Sequence, residues 1–213
     1  MARETEIKLR IPDRKAFLRA LRILRARPSQ PGAATRVHEF NVIFDTPEGG
    51  LAKHGQLLRI RTESPEKGGR GKRGAKAARV LLTFKCPVSP PREDAGCHKV
   101  REETEVELAG AELFTKILEG LGLRGWFRYE KYRTTYVLPA ALRWARGLLI
   151  ELDETPIGTF VELEGPAEAI DRAAALLGYS RRDYVTRNYL ELYAEDCRRR
   201  GTPPSDMLFP ETS

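Results

Sequence analysis

Apolar and polar residues alternate strictly along the stretch ETEIKLRI at residues 4–11. Thr5, Ile7, Leu9 and Ile11 share one face, and the other face carries charge alone. Alternation with a period of two is typical of a β-strand with two different faces. A solvent-exposed sheet surface would explain this single stretch. The same pattern returns in later strands, which favours a common cause.

Eight segments, most of them alternating, are predicted to be strands. They are residues 3–11, 37–45, 56–63, 79–86, 99–108, 126–138, 147–154 and 159–165. The chain lacks the regular succession of strand and helix that a parallel sheet requires. Eight antiparallel strands can close into a barrel, so the pattern predicts a β-barrel.

Helical periodicity appears between the strands. Helices are predicted in residues 13–27, 111–123, 139–145, 167–178 and 188–200. Their apolar stripes are expected to pack against the sheet. We therefore expect an α+β fold, with helices on the outside of an eight-stranded antiparallel β-barrel. A single domain is predicted for residues 1–200, followed by a loosely ordered C-terminal tail at 201–213.

Charged residues share one face on each of seven strands, mostly in pairs of like sign. The acidic pairs are Glu4 with Glu6, Glu103 with Glu105, Glu151 with Asp153, and Glu162 with Glu164. The basic positions are Lys8, Arg59, Arg61, Lys85, Lys131 and Arg133, and Arg101 shares the face of Glu103. A solvated surface would normally mix in Ser, Thr, Gln and Asn. Because the opposite faces are apolar and can be covered by helices, the charges are predicted to line the barrel lumen.

Charge inside a lumen is costly unless a ligand or metal compensates it, since desolvation costs roughly several kcal/mol per ion. Clustered carboxylates without histidine or thiolate favour Mg²⁺ or Mn²⁺, which take oxygen ligands and bridge to phosphates. Arginine forks and lysine point charges complement phosphate oxygens. The pattern therefore predicts a polyphosphate site with hard cations.

The composition reveals one strongly basic segment and bears on where in the cell the protein is expected. The chain has 213 residues, 41% of them hydrophobic, and a formal net charge of +7. Residues 66–79 hold six basic residues and one acidic residue, a local net charge of +5. We interpret this segment as a flexible solvated loop, with steering of an anionic substrate or contact with an anionic membrane as the alternatives. Nucleic-acid binding is not expected because no aromatic residues are interleaved. Without an apolar membrane span or signal-peptide core, no membrane partner and a cytoplasmic location are expected.

The three cysteines form no CxxC pair and suit a reducing compartment. His38, His54 and His98 are scattered along the chain. The adjacent Cys97 and His98 offer a thiolate and an imidazole. A metal or catalytic site there is disfavoured because the sequence offers no second cluster of ligands or catalytic residues. The sequence also lacks a phosphate-binding loop or dinucleotide-binding turn, so side chains must bind any phosphate.

Taken in order, the charged motifs resemble the CYTH superfamily, the triphosphate tunnel metalloenzymes. The ExExK motif of Glu4, Glu6 and Lys8 is similar to the family signature. The resemblance continues through FDTPEGGLAKHGQLLRIR, LTFKCP, REETEVEL, EKYRTTY, LDETPIGTFVELEG and NYLEL. It spans nearly the whole chain in the expected order.

The resemblance implies roles for individual residues. The metal-binding positions would be Glu4, Glu6, Glu162 and Glu164, with Asp153 nearby. The phosphate ligands would be Lys8, Arg59, Arg61, Lys85, Lys131 and Arg133, of which Lys8 and Lys85, with Asp153, would act in catalysis. Glu103 and Glu105 match a second acidic pair. Arg187 and Tyr189 are expected to close one mouth of the tunnel.

Three functions remain open at the level of sequence. The first is hydrolysis of a triphosphate-bearing small molecule, such as tripolyphosphate, ATP or thiamine triphosphate, with Mg²⁺ or Mn²⁺. The second is a class IV adenylyl cyclase that converts ATP to cyclic AMP and pyrophosphate. The third is a polyphosphate-binding module without activity, which would not need so many carboxylates. Hydrolysis is preferred because it requires nothing beyond the tunnel.

Overall fold

A computed structural model describes residues 2–30, 35–65, 78–88 and 97–210 of the chain. Most of the basic segment 66–79 lies outside the described residues, so its predicted role stays a prediction. None of the described helices combines the length and the apolar character that crossing a bilayer requires.

The eight predicted strands all form. They are β1 (Ala2–Arg10), β3 (Val37–Asp45), β4 (Leu57–Pro65), β5 (Arg79–Pro87), β6 (Lys99–Leu108), β7 (Arg124–Val137), β8 (Leu149–Thr155) and β9 (Gly158–Glu164), with a two-residue strand β2 (Arg27–Pro28) paired to β7. Their order in the sheet is β7-β3-β4-β5-β6-β1-β9-β8, and β8 pairs back to β7. All pairings are antiparallel, so the sheet closes into the predicted barrel.

The described residues form five α-helices around the barrel. They are α1 (Arg14–Ile23), α2 (Gly50–Lys53), α3 (Ala111–Gly120), α4 (Ala167–Leu176) and α5 (Tyr189–Arg200). Asp13 begins α1 by accepting a hydrogen bond from the Ala16 amide, as its position before the apolar stripe predicts. The helix predicted at residues 139–145 is reduced to a 3₁₀ turn at Arg143–Ala145, because so short a segment gains few helical hydrogen bonds.

Helices α1 and α4 cover part of the outer wall of the barrel. Phe17 of α1 and Ile170 of α4 belong to the largest hydrophobic core cluster of the described residues, together with Ile7, Leu9 and Leu163 from the strands. These strand residues are fully buried. The apolar faces of β1 and β9 therefore point outward into a helix-covered core, and their charged faces point into the lumen.

Helix α5 packs against the inner face at one end of the barrel. Phe127 and Phe160 of the strands lie in one buried cluster with Tyr189 and Leu192 of α5. Met207 joins this cluster and is only 1% exposed, and its backbone hydrogen-bonds to β7 on both sides of Tyr129. The described part of the tail therefore packs on the barrel, which corrects the expectation of loose order. A single buried apolar residue after two prolines was too weak a signal to predict this.

The turn after β3 is held by one carboxylate. Asp45 accepts hydrogen bonds from the amides of Thr46, Leu51 and Ala52 at 2.7, 2.8 and 3.0 Å. Asp45 is 4% exposed, and these contacts shape the entry into α2. Its role is structural, as turn residues of this type predict.

Candidate active site

The charged strand faces meet in the lumen as the alternation predicts. They surround a cavity of about 230 Å³. Its acidic lining residues are Glu4, Glu6, Glu103, Glu105, Glu151, Glu162 and Glu164, and its basic ones are Lys8, Arg59, Arg61, Lys85, Lys99, Arg101, Lys131 and Arg133. Tyr129, Asn188 and Tyr189 complete the polar part of the wall. The barrel therefore encloses two opposite sets of charge in one space.

Acidic and basic side chains in the cavity pair with each other. The Lys85 ammonium lies 2.6 Å from the Glu4 carboxylate, and the Lys99 ammonium lies 3.1 Å from that of Glu6. Lys8 lies 3.0 Å from Glu162. These pairs offset the cost of burying the charges. A metal ion and a phosphate chain could replace the pairs, because they would satisfy the same charged groups.

The basic side chains that line the cavity retain unused hydrogen-bond donors. Arg59 donates from Nη1 to the Tyr129 hydroxyl at 3.1 Å, but its Nε is buried and has no hydrogen-bond partner among the described residues. The Nε of Arg101 is also buried without a hydrogen-bond partner among the described residues. A buried donor without a partner is costly, so an anion in the cavity would relieve both.

Glu164 lines the cavity close to the carboxyl groups of Glu4, Glu6 and Glu151. It lies directly across the β1–β9 pair from Glu6 and forms no ion pair within the described ranges. Burial and the neighbouring carboxylates of Glu151 and Glu4 raise the pKa of Glu164 to about 8. A cation with oxygen ligands would remove this repulsion.

Neighbouring groups in the same cavity titrate very differently. Burial opposes ionisation of Glu6, but the ammonium groups of Lys8, Lys99 and Lys85 together outweigh it and lower the pKa of Glu6 to about 2. Burial and the Lys8 charge lower the pKa of Lys99 to about 8. For Glu162, the Lys8 and Arg133 charges overcome burial and hold the pKa well below its usual range. The local partners, and not burial alone, set the charge of each group.

Asp153 lies behind the cavity wall. It is fully buried and is absent from the cavity lining. Its Oδ2 accepts hydrogen bonds from the Lys131 ammonium at 2.8 Å and the Tyr189 hydroxyl at 2.7 Å, and its Oδ1 accepts one from Arg133 Nε at 2.7 Å. The carboxylate is thus occupied by three side chains that line the cavity.

A second, smaller chamber continues the lumen. It has a volume of about 170 Å³. It is lined by Ser29, Gln30, Thr35, Val37, Glu39, Glu63 and Thr135, and it shares Arg61, Arg133 and Glu151 with the main cavity. Arg133 bridges this boundary by pairing with both Glu151 and Glu162. The shared residues form a charged partition across the lumen.

The structure places most of the predicted site residues together. Those that line the main cavity are Glu4, Glu6, Lys8, Arg59, Arg61, Lys85, Glu103, Glu105, Lys131, Arg133, Glu162, Glu164 and Tyr189. Asp153 supports the wall from behind. Arg187 is not brought into the cavity, because its guanidinium pairs with Glu195 of α5 at 2.9 Å and is half exposed. Tyr189, in contrast, lies at the end that α5 covers.

Sequence reasoning did not single out Glu39, Asn41, Lys99 and Tyr129 as site residues. Glu39 is 2% exposed and lies 3.4 Å from Lys131 and 3.5 Å from Arg61. The signal was present in the alternation of β3, where Glu39 and Asn41 oppose apolar neighbours. Lys99 lies two residues before Arg101 on the charged face of β6, and Tyr129 lies two residues before Lys131 on the charged face of β7.

Comparison with solved structures identifies chains of the same fold. A candidate adenylate cyclase from Vibrio parahaemolyticus matches with a TM-score of 0.66 and 20% identity, over 89% of this chain and 96% of that one. A conserved hypothetical protein from Pyrococcus furiosus matches with a TM-score of 0.65 and 25% identity, over 89% and 99%. The Hippeastrum protein HpAC1, a candidate adenylyl cyclase with a dominant triphosphatase activity, matches with a TM-score of 0.50 and 21% identity, over 94% and 97%.

Sequence comparison is more direct for the family. No curated protein matches the chain significantly. A family model of the CYTH domain matches residues 2–189. This range includes every strand of the barrel and every charged residue that lines the main cavity. The chain therefore belongs to the CYTH domain family.

Proposed function

We propose that this protein is a divalent-metal-dependent triphosphatase that hydrolyses a triphosphate-bearing small molecule inside the barrel. The observation that carries the proposal is one cavity lined by the carboxylates of β1 and β9, here called the acidic wall, and by lysine and arginine side chains, here called the basic wall, in which Arg59 and Arg101 each keep an unused donor. A ligand that is both anionic and metal-bound would satisfy both walls at once in place of their mutual ion pairs. A chain of phosphates with a hard cation has this character.

The acidic wall fits a hard divalent cation. Glu4 and Glu6 of β1 and Glu162 and Glu164 of β9 offer carboxylate oxygens alone, the ligands that Mg²⁺ and Mn²⁺ prefer. Glu164 lies in this group without an ion pair among the described residues, and burial and neighbouring carboxylates raise its pKa, so a cation bound beside it would relieve the repulsion. Bound there, the cation would supply neutralisation of charge on the phosphate oxygens.

The basic wall would hold the phosphate chain. Lys8 and Lys85 lie next to the acidic wall, where each already pairs with a carboxylate. We assign them to the reacting phosphate and Arg59 to the rest of the chain, with the further phosphate ligands Arg61, Lys131 and Arg133 beyond it. Positioning and charge neutralisation account for most of the catalysis in phosphoryl transfer.

Asp153 is better explained as a positioning residue than as a metal ligand. Its oxygens are occupied by Lys131, Arg133 and Tyr189, and it does not reach the cavity. We propose that it fixes these side chains at the lumen surface, so that little freedom is lost when a phosphate binds.

A product assay tests the proposal and separates its alternatives. Tripolyphosphate, ATP and thiamine triphosphate are each incubated with Mg²⁺ and with Mn²⁺, and the products are identified. We expect metal-dependent release of orthophosphate from at least one substrate. Cyclic AMP and pyrophosphate from ATP would instead establish a cyclase. Tight tripolyphosphate binding without turnover of any substrate would establish a binding module.

Two variants connect this activity to the acidic wall. Glu6→Gln keeps a hydrogen-bond acceptor beside Lys99 but removes a negative charge, so we expect at least about a hundredfold loss of turnover at saturating Mg²⁺. Glu112→Gln on α3 is the control, because this side chain is 82% exposed and remote from the cavity. Equal turnover in the two variants would contradict the assignment of Glu6.

A further inference from the structure

Three metal-ligating side chains of different types converge on the outer wall of the barrel. Cys97 and His98 immediately precede β6, and Asp171 comes from the middle of α4. Their donor atoms all lie within 4.8 Å of one another. The fold thus supplies the third group that the adjacent Cys97 and His98 lack in the sequence.

Asp171 is held in place by further contacts. The His98 ring nitrogen lies 2.8 Å from Oδ1 of Asp171, and the Tyr184 hydroxyl donates to the same oxygen at 2.9 Å. Arg181 donates to Oδ2 at 2.6 Å. The hydrogen bonds from Arg181 and Tyr184 orient the Asp171 carboxylate, as outer-shell partners do for metal-ligating carboxylates.

The donor set selects a different metal from the lumen. Thiolate, imidazole and carboxylate together suit Zn²⁺, whereas Mg²⁺ prefers oxygen alone. Ligand atoms around a tetrahedral Zn²⁺ are roughly 3.3–3.8 Å apart, given bonds of about 2.0–2.3 Å. The donors of Cys97, His98 and Asp171 lie within 4.8 Å of one another, so small side-chain movements would bring them to these distances. One thiolate and one carboxylate would also neutralise the two charges of the ion.

We propose that Cys97, His98 and Asp171 form a zinc site with a fourth position open to water. The site would join the start of β6 to α4. Through Arg181 and Tyr184 it would also join the segment that leads to α5, in which Val185 hydrogen-bonds to the backbone of Lys8. Because Lys99 follows directly in β6, the ion would fix one edge of the cavity wall without entering it.

Cobalt titration of the intact protein in the presence of excess Mg²⁺ tests this site. Co²⁺ occupies zinc sites, and a thiolate ligand produces a sulfur-to-cobalt charge-transfer absorption that carboxylates in the lumen cannot produce. We expect this absorption with one equivalent of Co²⁺ and its loss on addition of Zn²⁺. The absorption should persist in Cys86→Ser, which removes another partly buried thiol, and disappear in Cys97→Ser.

Asp171→Asn should weaken Co²⁺ binding by about tenfold or more, since even outer-shell partners contribute about that much to metal affinity. Absence of the absorption from the wild-type protein would overturn the proposal, and this outcome does not depend on the folding of any variant. Retention of the absorption in Cys97→Ser would overturn it as well. Unchanged affinity in Asp171→Asn would remove Asp171 from the site and contradict the three-residue assignment.

Discussion

At the scale of single residues, the cavity gives two glutamate side chains different protonation states. Glu6 and Glu164 face each other across the β1–β9 pair. Burial opposes ionisation of Glu6, but the Lys8, Lys99 and Lys85 ammonium groups together outweigh it and lower its pKa to about 2. Burial and the Glu151 and Glu4 carboxylates raise the pKa of Glu164 to about 8. Near neutral pH, Glu6 is therefore ionised and Glu164 holds a proton that a metal would displace.

This difference predicts how stability changes with pH in the absence of metal. The folded-state pKa of Glu164 lies above its unfolded value near 4.5, so its stabilising contribution is complete below pH 4.5 and is lost as the pH rises through 8. The free energy of unfolding of the wild type should fall relative to Glu164→Gln, by at most about 1.4 kcal/mol per pH unit. Urea unfolding with a chelator, between pH 5 and 8, measures both slopes.

The comparison isolates one group. Glu151, whose pKa burial also raises, contributes a slope of the same sign to both proteins. Glu6 and Glu162 titrate below this window. Parallel pH profiles for the wild type and Glu164→Gln would show that Glu164 is not protonated in the folded protein.

The identity of the lumen residues could be read from the sequence, but their partners could not. Alternation placed Glu4, Lys85 and Arg133 on inward faces, because the side-chain period of a strand is fixed. It could not show that Asp153 is occupied by Lys131, Arg133 and Tyr189, since these contacts join strands and a helix distant in sequence. The role of Asp153 as a metal ligand stays a prediction, and these contacts favour a positioning role.

At the scale of elements, strands were predicted better than short connections. Each of the eight strands has enough alternating positions to define its faces. Strand β2 and helix α2 have two and four residues, too few to show a period, and they form because β7 and Asp45 supply their hydrogen bonds. Local pattern therefore identifies long elements, and tertiary contacts determine the short ones.

Gly165 provides a test at this scale, at the end of β9. Its φ is +145°, and an added Cβ would lie 2.6 Å from the backbone oxygen of Gly147. Gly178 also has a positive φ, of +88°, but nothing lies within 4 Å of its added Cβ. Both substitutions to alanine strain the backbone by about 1–3 kcal/mol, and Gly165→Ala adds an overpacking cost of about 1–3 kcal/mol.

We therefore expect Gly165→Ala to be the less stable variant in urea unfolding. Because Glu164 precedes Gly165, the backbone shift should also weaken metal-dependent turnover more than Gly178→Ala does. Equal unfolding free energies would show that the close approach of Gly165 to the Gly147 backbone does not constrain the fold.

At the scale of the whole molecule, closure of the sheet converts ordinary strand faces into one site. In an open sheet, Glu4 and Arg133 would belong to opposite parts of a wide surface; in the barrel they line the same cavity. Helix α5 and Met207 close one end with apolar and aromatic side chains. The apolar outer faces and the inward charges follow from one alternation, and this is why the fold was predictable from sequence.

The basic segment 66–79 offers a second explanation for anion binding. Most of it lies outside the described residues, and its charge is known from the sequence alone. Exposed charges act at a distance and are screened over about 8 Å at physiological ionic strength. Steering by this segment would therefore raise the association rate at low salt, whereas contacts in the lumen would hold the ligand at any salt concentration.

Calorimetric titration with tripolyphosphate at low and high salt separates these explanations most directly. The proteins are the wild type, Arg59→Ala, a deletion of residues 68–76, and Arg3→Ala as an exposed control on β1. Arg59 is 6% exposed, and loss of a charged hydrogen bond costs about 1.5–3 kcal/mol, so Arg59→Ala should weaken binding roughly 10- to 150-fold at both salt concentrations. The deletion and Arg3→Ala should bind like the wild type at high salt. If the deletion loses binding at high salt while Arg59→Ala retains it, the ligand does not bind in the lumen.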